Sequence, residues 1–320
     1  MPRHAAVLPR LGVWVPWADT DAMGWVRYTL DREKVPYTHL RDEDVRAGPL
    51  RDRVDVVVNG QGGPRGSRAR TRSPGRRRVP KPVFVGTAGW SIPREWAVRF
   101  PAGDSHLERY ARVLPATENN SSFYRIAERA TYARWAVSVP HDFRMSVKMP
   151  RAISHYARLK GTSPVLERFL QHAHGLGRTL GCLLLQLPAS FPYERRRTAT
   201  FFTLLRRRHK GAVAFEPRHP SWFDPEVDAL LKRMRIARVA ADPPPVAGAL
   251  EPGGWSRLVY FRLHGSPQMY YSAYSSTFLA DLADRLRIAS RRATVWCIFD
   301  NTASGAALGN ALDLIDRLRG

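Results

Sequence analysis

From Lys81 onward, short apolar runs alternate with longer amphipathic stretches. Val83–Thr87, Ala116–Asn120, Phe143–Met149, Leu180–Leu187, Ala212–Glu216, Ala237–Asp242, Leu258–His264 and Thr294–Asp300 read as strands. Each is short and sits between turn residues, as strands do. Residues 106–113, 127–137, 164–175, 198–208, 226–234, 276–288 and 304–317 carry apolar positions at helical spacing. The connection after the sixth strand is rich in Pro and Gly and has no helical pattern. Eight strands alternating with seven helices predict an α/β fold, a (β/α)8 TIM-type barrel over residues 82–320. A doubly wound open sheet would carry a Gly-rich phosphate loop after its first strand. The nearest match, Gly175-Leu176-Gly177, closes a helix rather than opening one.

Ahead of the barrel the pattern is thinner. Leu11–Val15 and Val54–Val58 read as strands and Gly24–Lys34 as a helix, a small β-α-β fragment over residues 1–58. Two strands in so short a segment are marginal alone. Residues 59–81 hold seven arginines and no acid among Gly, Pro and Ser. Such a stretch is expected to be a disordered basic linker, because it cannot bury enough apolar surface to fold. It is either a solvated tether or an arm able to touch nucleic acid.

The strand ends are polar in succession: Thr87; Glu118 with Asn119 and Asn120; Lys148; Gln186; Glu216 with Arg218; Asp242; Arg262 with His264; Asp300 with Asn301. Barrel enzymes carry their sites at the C-terminal strand ends. A single polar end is noise, but a full circle of them makes a polar mouth. The densest stretch is Phe215-Glu216-Pro217-Arg218-His219-Pro220-Ser221-Trp222, where two prolines stop the ladder and Glu216 and Arg218 point the same way. Alternation directs Lys148, Gln186, Glu216, Arg262 and Asp300 inward. It also sends Cys182 inward and Cys297 outward on distant strands, so reduced thiols rather than a disulfide are expected.

Three chemistries fit such a mouth. In the first, Arg218 and Arg262 grip a phosphate or carboxylate. Glu216 or Asp300 is the general base and Lys148 the acid or electrostatic partner. Asn119, Gln186, His264 and Tyr270 then complete the substrate contacts, and the reaction is hydrolytic or a lyase reaction. In the second, a metal-dependent phosphodiesterase, Glu118, Glu216, His219, Asp242, His264 and Asp300 supply ligands for a divalent ion that activates water to hydrolyse a phosphate ester, against the opposing charge of Lys148, Arg218 and Arg262. In the third, the charges pair internally and the surface binds a partner or nucleic acid. Trp90, Tyr124, Trp222, Tyr270, Tyr271 and Tyr274 follow strand ends and either stack on a base or sugar or plug the barrel end. Plugging is the reading for Trp90 and Trp222.

Composition changes this picture little. The hydrophobic share of 44% and charged share of 25% are those of an ordinary globular chain. No apolar run approaches the ~18 residues of a membrane span, and Met1 to Trp17 lacks a secretory core. A cytoplasmic location without membrane contact is therefore expected. The net charge of +23 favours an anionic small molecule or nucleic acid as partner. However, 45 Arg against 6 Lys is also what GC-rich coding produces, so the charge decides little. The absence of Cys-x-x-Cys excludes a zinc ribbon. No cofactor and no oligomeric state follow from the residues.

One family matches these residues in order. Gly86-Thr87-Ala88-Gly89-Trp90-Ser91, Glu118-Asn119-Asn120 with Phe123-Tyr124, Phe143 to Pro150 with Ser154-His155, Leu185-Gln186-Leu187-Pro188, Glu216 to Trp222, Tyr260 to Gly265 and Phe299-Asp300-Asn301-Thr302 resemble the DUF72, or YecE-like, family. The resemblance covers about residues 82–320 and implies the same barrel, without an established reaction. The family's fold is similar to endonuclease IV and sugar-isomerase barrels, an analogy of fold only. Residues 11–58 resemble an accessory segment of zinc-carboxypeptidase-like proteins, through Pro16 to Asp21, Gly24 to Tyr28, Pro36-Tyr37-Thr38 and Asp42 to Gly48. No His-x-x-Glu zinc pair accompanies it.

Overall fold

The computed structural model describes residues 10–14, 30, 34–40, 44, 47, 50–58 and 80–320. The chain divides into two units, Met1–Gly75 and Arg76–Gly320. In the first, β1 (Leu11–Trp14), β2 (Tyr37–Leu40) and β3 (Val56–Val58) form a parallel sheet in the order β2-β1-β3. Val13, Leu40 and Val54 are buried. Strand β2 was not among the expected elements. Its two middle residues, Thr38 and His39, are both exposed, so it shows no in-out alternation. Nearly all of the helix expected at 24–34, and the linker up to residue 79, lie outside the described residues.

The second unit is the TIM-type barrel. Its strands are β4 (Val83–Ala88), β5 (Ala116–Asn119), β6 (Arg144–Lys148), β7 (Leu180–Gln186), β8 (Val213–Glu216), β9 (Ala237–Arg238), β10 (Ala240–Asp242), β11 (Gly253–Gly254), β12 (Leu258–Leu263) and β13 (Thr294–Phe299). Parallel ladders run from β4 through β8 to β9, and from β10 through β12 and β13 back to β4. The expected sixth strand is thus two pieces flanking Val239. The first pairs with β8 and the second with β12, and the short β11 lies antiparallel to β9. The helices are α1 (His106–Ala111), α2 (Ser121–Tyr124), α3 (Arg129–Val137), α4 (Ser163–Ala173), α5 (Arg195–Arg208), α6 (Pro225–Arg233), α7 (Ser276–Ser290) and α8 (Ala306–Arg319).

Alternation builds two cores. On β12, Val259, Phe261 and Leu263 face the helices, while Leu258 and Tyr260 face the barrel axis. Helix α7 answers with Leu279, Leu282, Ala283 and Leu286 on one face, and Ser275 caps it by accepting from the Phe278 amide. Inside the barrel, Trp296 stacks on Tyr260 with ring centroids 5.9 Å apart. Room for that indole comes from Gly181, where a Cβ would lie 2.5 Å from the Trp296 ring. Cys182 lines the axis and Cys297 the helix side, both buried and free. The apolar filling ends at Tyr260, and above it the axis turns ionic.

Candidate functional site

Tyr260 and Arg262 stand two residues apart on β12, so the tyrosine hydroxyl lies directly below the guanidinium. The hydroxyl donates to Glu118 Oε2 at 2.7 Å, and its oxygen lies 3.0 Å from Ser146 Oγ, from which it can accept. Burial and then the Glu118 charge push this hydroxyl well above its ordinary pKa, so it stays a donor. Arg262 is 1% exposed and sits between three carboxylates. Its Nη2 reaches Glu118 Oε1 at 2.7 Å and Asp300 Oδ2 at 3.0 Å, its Nη1 reaches Glu216 Oε2 at 3.2 Å, and its Nε donates to both Glu118 oxygens. Burial opposes that charge, but Asp300, Glu118 and Glu216 hold the guanidinium firmly protonated.

A second tier lies above. His264 Nδ1 is 2.9 Å from Asp300 Oδ2, while its Nε2 is 2.7 Å from Arg218 Nη2 and 3.2 Å from Glu216 Oε1. With the Nδ1 proton given to Asp300, Nε2 is the acceptor for Arg218. Arg218 also pairs with Glu216, and Gln186 Nε2 donates to the same Glu216 oxygen at 3.4 Å. Burial would raise Glu216, but Arg262, Arg218 and His264 outweigh it and hold the carboxyl well below its ordinary range. Asp300 is lowered in the same way: burial opposes, and Arg262 and His264 prevail.

Lys148 ends β6 at the same opening and is 9% exposed. Its ammonium lies 4.4 Å from the Phe123 ring centroid. Among the described residues it makes no hydrogen bond and no ion pair. Burial, reinforced by Arg262, brings it down to about 8 against the pull of Glu118, Glu216 and Asp300. The next turn, Ala152–Tyr156, is π-helical and presents His155, whose Nδ1 is 2.8 Å from Ser154 Oγ. Burial, Lys148 and Arg151 lower His155. At the rim Tyr270 is 42% exposed, its ring edge-on to His264 at 5.7 Å.

The family model described as "Protein of unknown function DUF72" matches residues 84–320. The chain belongs to the DUF72 family. It is 32% identical over 173 residues to the UPF0759 protein YecE of Escherichia coli K12, covering 52% of this chain and 61% of that protein. It is 34% identical over 142 residues to the O157:H7 counterpart, covering 44% and 50%. The chain thus spans between half and three-fifths of the curated relatives it matches. Two solved DUF72 structures share the fold. One, from Enterococcus faecalis V583, has a TM-score of 0.63 at 23% identity, over 74% of this chain and 96% of that one. The other, from Thermotoga maritima MSB8, has a TM-score of 0.62 at 25% identity, over 75% and 100%.

Within the DUF72 barrel, Lys148, Gln186, Glu216, Arg218, Arg262, His264 and Asp300 gather at one opening with Tyr270 on its rim, while Asn119 does not join them. The Asn119 amide oxygen accepts from Ser121 Oγ at 2.8 Å and the Ser122 amide at 3.3 Å, so it holds α2 on the helix side of the strand. Arg262 directs its donors into Glu118, Glu216, Asp300 and His264 rather than outward, a poor position for gripping a substrate. Glu118, which the sequence offers only as a possible metal ligand, is central to the cluster, with Tyr260 and Ser146 beneath it. Counting from inward Ala116 would have placed Glu118 inward and Asn119 outward.

The metal reading fares poorly on geometry. The Arg262 guanidinium occupies the space on which Glu118, Glu216 and Asp300 converge. Asp242 is tied to the Tyr274 hydroxyl at 2.9 Å, and His219 to Ser221 Oγ at 2.9 Å. Among the described residues no group of three or more His, Cys, Asp and Glu is arranged to hold an ion. Trp222 is 1% exposed with its indole N–H on the Phe191 carbonyl, and Trp90 packs edge-on against Trp135, so both fill gaps between elements.

Proposed function

We propose that the DUF72 barrel mouth is the active site of an enzyme, hydrolase or lyase, acting on a small molecule that bears a phosphate or carboxylate. One observation carries this reading: Lys148 is a nearly buried ammonium that, among the described residues, makes no ion pair and no hydrogen bond although it shares its opening with Glu118, Glu216 and Asp300. An unpaired buried cation costs folding free energy, and perturbed ionisable groups of this kind gather at functional sites. An anion entering the mouth would find Lys148 and Arg218, whose Nε has no partner among the described residues. A guanidinium edge offers the planar pair of donors that phosphate and carboxylate accept.

The roles follow from exposure. Glu216 and Arg262 are enclosed, so they position their neighbours. Asp300, with 11% of its side chain exposed, reaches the opening backed by His264 and Arg262. Lys148 is brought down to about 8, within reach of neutral pH, so acid–base transfer runs through it. Inorganic phosphate should raise the melting temperature of the full chain, since a ligand at 100 times its Kd adds ~2.7 kcal/mol. Arg218→Ala should fold but lose that rise, and phosphate affinity should fall as pH passes upward through about 8. If neither phosphate nor citrate shifts the melt at any concentration, the anion site does not exist.

A further inference from the structure

Lys148 projects from the last position of a barrel strand into a space shared with three carboxylates, yet pairs with none of them. The reason is Arg262, which takes Glu118, Glu216 and Asp300 for itself. The amine is therefore left with an aromatic face, low solvent access and a fixed positive neighbour. Low solvent access and the positive neighbour favour loss of its proton, against the Phe123 face and the three carboxylates, which favour the charged form. A desolvated lysine beside another cation is a recognised way to make a nucleophilic amine. A lysine meant only to hold an anion gains nothing from this arrangement, because it must keep its charge.

We propose that Lys148 is a nucleophile that condenses with the aldehyde or ketone group of an anionic substrate, forming a protonated imine at the barrel mouth. The inference rests on the anion-site reading above, with Arg218 holding the substrate's phosphate or carboxylate. The Nζ lone pair adds to the carbonyl carbon, and the two protons lost from nitrogen leave with the carbonyl oxygen as water. Starting from the ammonium, one carbonyl compound is consumed, one water is released and the positive charge remains on nitrogen. No oxidant, reductant or metal is needed. The imine withdraws electrons from the adjacent carbon, so a bond there can break with its electron pair passing toward nitrogen. Asp300 stands at the opening to exchange the proton involved, with the buried His264 hydrogen-bonded behind it.

Pyridoxal 5′-phosphate and glyoxylate serve as probes, because each joins an aldehyde to an anion and they differ in size. Borohydride reduces any imine to a stable secondary amine that peptide mass mapping locates. The chain has only six lysines, Lys34, Lys81, Lys148, Lys160, Lys210 and Lys232, so the map is unambiguous. The expected result is stoichiometric labelling at Lys148 by at least one probe, suppressed by phosphate and absent in Lys148→Arg. The pH dependence of labelling in the wild-type chain should centre near 8, a readout that needs no variant to fold. Labelling by both probes confined to the other five lysines overturns the imine. If phosphate still stabilises the wild type and Arg218→Ala abolishes that effect, the anion site survives that result. If phosphate does nothing, both readings fall.

Discussion

Replacing Arg262 with leucine removes the cation on which Glu118, Glu216 and Asp300 all converge. Leucine fills the aliphatic stem but leaves three carboxylates facing one another, each no more than 11% exposed. Breaking one buried pair by deleting a partner costs ~3–5 kcal/mol, and three pairs sharing one cation place this case at the upper end. Set against a total stability of ~5–15 kcal/mol, the loss is a large fraction. For a domain this size 1 kcal/mol moves the midpoint by ~2–4 °C, so the melt should fall by roughly 10–20 °C. The pH dependence gives a second check. In the native protein Glu216 and Asp300 sit below their ordinary ranges. Their contribution is therefore complete above the unfolded carboxylate pKa of about 4 and fades as pH falls through the folded values. Without Arg262, burial dominates and raises both, so ionisation opposes folding at neutral pH. The gap between the two proteins should be widest near neutral pH and narrow toward pH of about 4. Thermal melts of both proteins at pH 7.5 and 5 measure it. An Arg262→Leu protein that melts like wild type, or a gap independent of pH, refutes the buried network.

Tyr260→Phe leaves Glu118 Oε2 without its donor and Ser146 Oγ without its partner, and should cost ~1–3 kcal/mol by urea unfolding, with little change in cavity shape. Lys148→Met should instead raise the melting temperature at pH 7, because it removes a desolvated ammonium. A lysine lowered from 10.5 to about 8 carries its full penalty below 8 and is relieved as pH rises toward 10.5, so the gain should vanish there. A chain beginning at Lys81 should remain soluble and melt as the full chain does, since the described barrel core draws on residues from Val83 onward. Oligonucleotide binding that disappears with residues 1–80 would belong to that segment and not to the barrel.

The barrel was legible because each element is short, periodic and punctuated. Phe261 and Leu263 alternate with Tyr260 and Arg262, and α7 repeats its apolar face every three or four residues, so direction could be counted along the chain. Partners could not. Arg262 and Glu118 lie 144 positions apart, and alternation indicates that both face the axis without showing that they meet. Hence Arg262 reads as a substrate ligand in sequence and is a buried brace in the fold. Asn119 turns away from the mouth for a local reason: strand parity, not polarity, decides which side a residue takes. The division at Val239 leaves no mark either, since Ala237 to Asp242 contains no Gly or Pro between the two pieces.

That division also bears on how the ring stays shut. Ala214 and Phe215 pair with Ala237 and Arg238 on one side of Val239, and Ala240 to Asp242 pair with Phe261 to Leu263 on the other. No single strand runs the full height between β8 and β12. The Glu216–Arg262 contact spans that interval from one neighbour to the other, above the break. In mechanical terms the wall has a slit, and the charges at its top are a clasp across it. Thermal fluctuation should part the barrel here first, and whatever neutralises or withdraws Glu216 would loosen the clasp. The surface on which chemistry is proposed and the joint that keeps the cylinder closed are then the same few side chains.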